Sequence, residues 1–97
     1  MNDMPLFNAP AEPQGPYRVP GLRAHGDEHR GKWLVVWAEA PRPLYSLQDR
    51  EAVMRERGID PAGFEIHPPR LFNRLADKHT RTWWYCWPKG EPNPVAE

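Results

Sequence analysis

The sequence lacks most of what would announce a function. It holds one cysteine, so no intramolecular disulfide can staple it and no cysteine cluster offers a thiolate zinc site. Neither sign of charge is in excess: 13 Lys and Arg stand against 13 Asp and Glu. That balance removes the bulk positive field that argues most generally for a nucleic-acid or membrane-surface protein. No apolar run approaches the roughly 18 residues that a bilayer span needs. The opening Met1-Asn2-Asp3-Met4-Pro5 has neither the basic nor the apolar segment of a secretory signal. A free thiol, no signal and balanced charge give the expectation of a reducing, cytoplasmic setting. There is no glycine-rich phosphate loop, no G-x-S-x-G and no H-E-x-x-H. The expectation is therefore a protein that is not an enzyme and holds no cofactor.

Proline and tryptophan are abundant instead, with 13 and five copies in 97 residues. That length makes one small domain. Pro5, Pro10, Pro13, Pro16 and Pro20 punctuate the start; lacking a backbone donor and fixing φ, they suit neither a helix interior nor a central strand. Residues 21–31 are polar with three glycines and read as loop, and Pro88, Pro92 and Pro94 end structure at the other side. The sequence thus predicts an extended arm and loop over 1–30, a packed domain over 31–88 and a disordered tail over 89–97. A packed part of about 60 residues buries only about 60% of its unfolded surface, so its core is marginal.

Within 31–88 the segments separate at prolines and glycines. Lys32–Ala40 is rich in β-branched and aromatic residues and is halted by Pro41 and Pro43, which predicts a strand. Ser46 opens a helix over about 46–57: its hydroxyl can cap the Asp49 amide, and Gly58 suits the left-handed residue past the end, bringing Ile59 to Met54. Its thin apolar side is Leu47, Val53 and Met54. Gly63–His67 alternates and predicts a short strand. Pro69 can start a second helix with Leu71, Phe72, Leu75 and Ala76 on one side and Arg70, Arg74, Asp77 and Lys78 on the other. Arg81–Trp87 predicts a third strand. The expected fold is α+β: a small three-stranded mixed sheet in β-α-β-α-β order, both helices on one face, the first two strands parallel through a right-handed crossover.

Strand side chains alternate between two sides, which sorts these residues into two sets. Leu34, Val36, Ala38, Phe64, Ile66, Thr82, Trp84 and Cys86 form one, almost wholly apolar, and the natural floor for the helices. Trp33, Val35, Trp37, Glu39, Glu65, His67, Arg81, Trp83, Tyr85 and Trp87 form the other, which no helix covers. Five large aromatics exceed the few-hundred-Å² apolar patch that monomers usually tolerate, so something should cover them. Three covers are open: the arm residues Tyr17, Val19, Pro20 and Leu22, a second copy in a homodimer, or a foreign partner.

Tryptophan, tyrosine and arginine interleaved with a few acids fit a protein–protein contact, with Trp33, Trp37, Trp83 and Trp87 as anchors and Glu65, His67, Arg81 and Tyr85 among them. Single-stranded nucleic acid stacking on the same rings is the alternative, weakened by Glu39 and Glu65 and by helical cations expected to point away. The favoured reading is a small accessory or inhibitor protein, of the scale that phages and mobile elements encode. Other chemistry is thinly supported. His25, Asp27, Glu28 and His29 could ligate a metal, but Gly26 and Gly31 speak for a polar loop. Cys86 with His67 or His79 as base is opposed by its apolar surroundings. Glu39, Glu65 and His67 make the one acid/base group the pattern allows, with nothing to show that they converge.

Overall fold

A computed structural model describes residues 17–95. It contains five strands and one helix: β1 (Ala24–Arg30), β2 (Trp33–Ala40), α1 (Leu47–Glu56), β3 (Phe64–Ile66), β4 (Leu71–Arg74) and β5 (Thr80–Pro88), with a 3-10 turn at Pro61–Gly63. All strands share one antiparallel sheet, β1-β2-β5-β3, with β4 also on β5. This overturns the expected three-stranded mixed sheet with two helices. β2 and β3 do run the same way, but β5 lies between them, antiparallel to both.

Two segments account for the difference. Residues 24–30, read above as loop, form edge strand β1, joined to β2 by the two-residue turn Gly31-Lys32. Gly31 has φ 67°, the positive value required where a type II′ hairpin turn begins. The expected second helix is the edge strand β4 followed by a hairpin. Pro68 and Pro69 hold the chain extended, and β5 offers an unpaired edge that a helix would leave unsatisfied. The amide of Lys78 bonds the Leu75 carbonyl at 2.9 Å and that of Leu75 bonds the His79 carbonyl at 2.7 Å. Lys78 sits at φ 72°, so a lysine fills the left-handed place of a three-residue hairpin loop. Leu71 and Phe72 are accordingly exposed, not core.

The helix follows its signals more closely. Ser46 Oγ accepts from the Asp49 amide at 3.1 Å, and the Ile59 amide bonds the Met54 carbonyl at 2.9 Å past Gly58 (φ 79°). Its buried residues are Asp49, Arg50, Ala52, Val53 and Met54, whereas Leu47 is exposed. Arg50 donates to the Leu44 and Tyr45 carbonyls at 3.3 and 2.7 Å, tying the preceding loop to the helix, and burial lowers its pKa.

The core lies between α1 and one face of the sheet. Leu34, Val36, Ala38, Ala40, Trp84 and Cys86 meet Leu44, Ala52, Val53 and Met54 there, with Val19 from the entering chain and Phe64 and Ile66 at the margin. Tyr17 donates to Asp49 at 2.8 Å and Arg18 to Glu56 at 2.8 Å, so the start of the described chain lies along α1, and Arg23, just before β1, reaches the Glu39 carboxylate on the opposite face. Residues 1–16 of the expected arm lie outside the described residues.

Candidate functional site

The strand alternation places the aromatic set where the sequence put it, on the face turned away from α1. Register brings the rings together: Trp37 lies opposite Trp83, Val35 opposite Tyr85, and Glu65 opposite Trp87. Trp37 and Trp83 are 6.2 Å apart between centroids, and Trp33 meets Tyr85 edge-on at 5.3 Å and 75°. Edge-to-face and tilted geometry is what ring quadrupoles favour. By leaning on one another, Trp33, Trp37, Trp83 and Tyr85 become half-buried. Trp87 goes further: with the His67 ring at 5.0 Å it keeps only 7% of its surface exposed. It braces the end of the face and is not an open anchor.

Gly26 makes the Trp37 position possible. A Cβ there would come within 2.6 Å of the Trp37 indole, so that ring lies flat across a bare stretch of β1 backbone. Beside it, a groove of about 220 Å³ is lined by Glu28, Arg30, Trp33, Val35, Leu71, Trp83 and Tyr85. Leu71, 55% exposed, forms its open wall.

Cations sit over the rings. The Arg81 guanidinium carbon is 4.4 Å from the Trp37 ring and 5.7 Å from Trp83, Arg30 is 5.8 Å from Trp33, and Arg70 is 5.4 Å from Tyr85. Arg70 thus reaches the aromatic face, contrary to the expectation for a helical cation, because it enters an edge strand. Carboxylates hold Arg81 and Arg30. Arg81 Nε donates to Glu39 at 2.8 Å, and Arg23 reaches the same carboxylate at 3.1 Å. Arg30 grips Glu28 with two bonds of 3.0 and 3.2 Å. The Arg81 bond, outweighing burial and helped by Arg23, holds the Glu39 carboxyl below its usual range.

The acid/base group does not converge. Glu39 opposes Arg81 and Glu65 opposes Trp87, six strand positions apart along β5, or about 20 Å. Cys86 is fully buried on the helix side, where burial pushes its thiol up to about 12, and His67 lies across the sheet from it. His79 lies in the turn before β5, beside Asp77. His25, Asp27 and His29 share the helix side of β1 while Glu28 faces the other way. Arg57 holds Asp27, and His29 Nε2 lies 3.0 Å from it. Among the described residues no three His, Cys, Asp or Glu are grouped to hold a metal ion, and no helix is long and apolar enough to cross a membrane.

Sequence reasoning missed Gly26, Glu28, Arg30, Arg70 and Leu71 as members of this face. Gly31-Lys32 directly before a strong strand was the signal for the first three, since a two-residue turn forces residues 24–30 into register with β2. No family model, curated protein or solved structure matches the chain.

Proposed function

We propose that the protein is a non-enzymatic binding module of the cytoplasm, of accessory or inhibitor type, whose aromatic sheet face docks a protein. One observation carries the reading: the face is aromatic, and two of the cations over its rings are held by carboxylates of the same face. Arg81 is taken by Glu39 and Arg30 by Glu28, so these cations serve to flatten and orient the rings. A phosphate chain would have to compete with those carboxylates, whereas a protein surface finds half-buried tryptophans, a tyrosine and an exposed leucine around a groove. Tyr17 and Arg18 of the arm pack on α1 and leave the tryptophans of the face uncovered.

The test uses Leu71→Asp and Trp83→Ala. Both are expected to keep the far-UV circular dichroism of the wild type and to lose the protein that the wild-type chain retains on affinity capture. Retention of that protein by both variants would refute the reading. Nucleic acid co-purifying with the wild type, lost with Trp83→Ala and released steeply by salt, would favour base stacking on the same rings instead.

A further inference from the structure

The two edges of the sheet are built differently. Along one, Pro68-Pro69 interrupts β3 and β4: five steps from Ile66 to Leu71 pass three steps on β5, from Cys86 to Trp83. An edge broken by prolines and a bulge resists pairing with another chain. Along the other, β1 runs seven residues without proline, and among the described residues nothing pairs with its outer side.

Hydrogen-bond alternation fixes which of its groups are free. The Tyr85 and Trp83 carbonyls accept from the His67 and Arg70 amides at 2.9 Å, so odd-numbered residues of β5 face that edge and even-numbered ones face β2. β2 then presents its odd-numbered residues to β1, which bonds back through Ala24, Gly26, Glu28 and Arg30, as the two-residue turn also requires. The amides and carbonyls of His25, Asp27 and His29 point out of the sheet.

We propose that β1 pairs with the β1 of a second copy, antiparallel about a two-fold axis, so that two sheets become one. Charges on an edge usually deter such pairing, but here they are already neutralised, Asp27 by Arg57 and Glu28 by Arg30. The two-fold lets only residues of the same face oppose each other, so each register is centred on one residue, and five registers pair three or more residues of β1. Centring on His25 pairs only three. Centring on Gly26 pairs five, from Ala24 to Glu28, and sets His25 against the second copy's Asp27, but it puts each Glu28 opposite an alanine and leaves both Arg30 side chains outside the pairing. Centring on Asp27 sets two aspartates against each other. Centring on His29 pairs only three strand residues. Centring on Glu28 pairs five, from Gly26 to Arg30, and sets Asp27 against the second copy's His29 in both directions, with the outward-facing backbone groups of both residues in bonding position. The two Glu28 side chains then lie between the two Arg30 side chains. Each Arg30 comes opposite the other copy's Gly26, beside the edge of the Trp37 indole that covers that position. Glu28 and Arg30 also line the aromatic groove, so the two grooves come side by side.

Sedimentation equilibrium of the full chain up to about 1 mM tests this, since interfaces this small associate weakly. The expected result is a mass rising with concentration from monomer to dimer. His29→Pro keeps the β1–β2 ladder, because that amide points outward, and is expected to abolish the dimer. Glu28→Lys, at an exposed position, is expected to weaken it about tenfold by placing four cations together. Leu71→Asp, which disables the aromatic face, is expected to dimerise as the wild type does. A wild type that stays monomeric throughout overturns the proposal. So does a dimer that survives Glu28→Lys and His29→Pro, or one that Leu71→Asp abolishes.

Discussion

Trp83 and Trp84 are neighbours in the chain and opposites in the fold. Trp84 is at 0% exposure among Leu34, Val36, Met54 and the rest of the core, while Trp83 stands half-buried on the far face, under the Arg81 guanidinium. Along one strand, the same side chain is in turn part of the core and part of the half-buried aromatic face. The pleat decides which, because successive side chains cannot share a face. A small domain can therefore keep a compact core on one side and an aromatic surface on the other without a second layer of helices.

The sharpest way to break that contrast is alanine at each indole. Trp84→Ala is expected to cost about 3–5 kcal/mol, close to the whole stability of a domain this small, and to leave little folded protein in a urea titration. Trp83→Ala is expected to cost about 1–2 kcal/mol, the worth of a lost ring pair and cation contact, with a cooperative transition retained. Equal losses at the two sites would mean that the faces are energetically alike.

Gly26→Ala attacks the open face through its floor. The added Cβ must displace the Trp37 ring, with an expected cost of about 1–3 kcal/mol and a red-shifted tryptophan emission, readable by equilibrium fluorescence.

Acid separates the two sides more gently. On the helix side, burial pushes the Asp49 carboxyl up, but hydrogen bonds from Arg42 and Tyr17 outweigh it and leave the group below its usual range. On the aromatic side Arg81 and Arg23 lower Glu39. Both carboxyls are lowered in the folded state, so the stability they confer is complete above the unfolded carboxylate range near about pH 4 and is lost as pH falls through their folded values. Asp49→Asn and Glu39→Gln should each flatten the fall in melting temperature below that point; an unchanged slope would show that neither ion pair matters.

The smallest effect lies at the β4–β5 turn. Lys78 occupies the left-handed region, so Lys78→Gly is expected to stabilise by about 1 kcal/mol, raising the urea midpoint without touching either face.

Legibility from sequence followed the same division. β2, β3 and β5 could be read because branched and aromatic residues in alternation have one good way to bury themselves, and α1 because Ser46 and Gly58 mark its two ends by local chemistry. The sorting of Trp33, Trp37, Trp83 and Tyr85 from Trp84 and Cys86 came with that alternation. β1 and β4 were not legible. Ala24–Arg30 carries no apolar pattern, and Leu71, Phe72, Leu75 and Ala76 have the spacing of a helix face. Missing those two strands also hid Arg30, Arg70 and Leu71, which reach the aromatic face only from the edges.

By itself, then, the amino-acid order determined the parity of the inner strands and the limits of the helix, since both depend on contacts within a few residues. Only the tertiary structure decided what the polar stretch 24–30 and the ambiguous stretch 71–74 would become. β2 and β5 each present a row of backbone donors and acceptors that must be satisfied, and whichever segment the turns bring alongside is drawn into the sheet whatever its own side chains prefer.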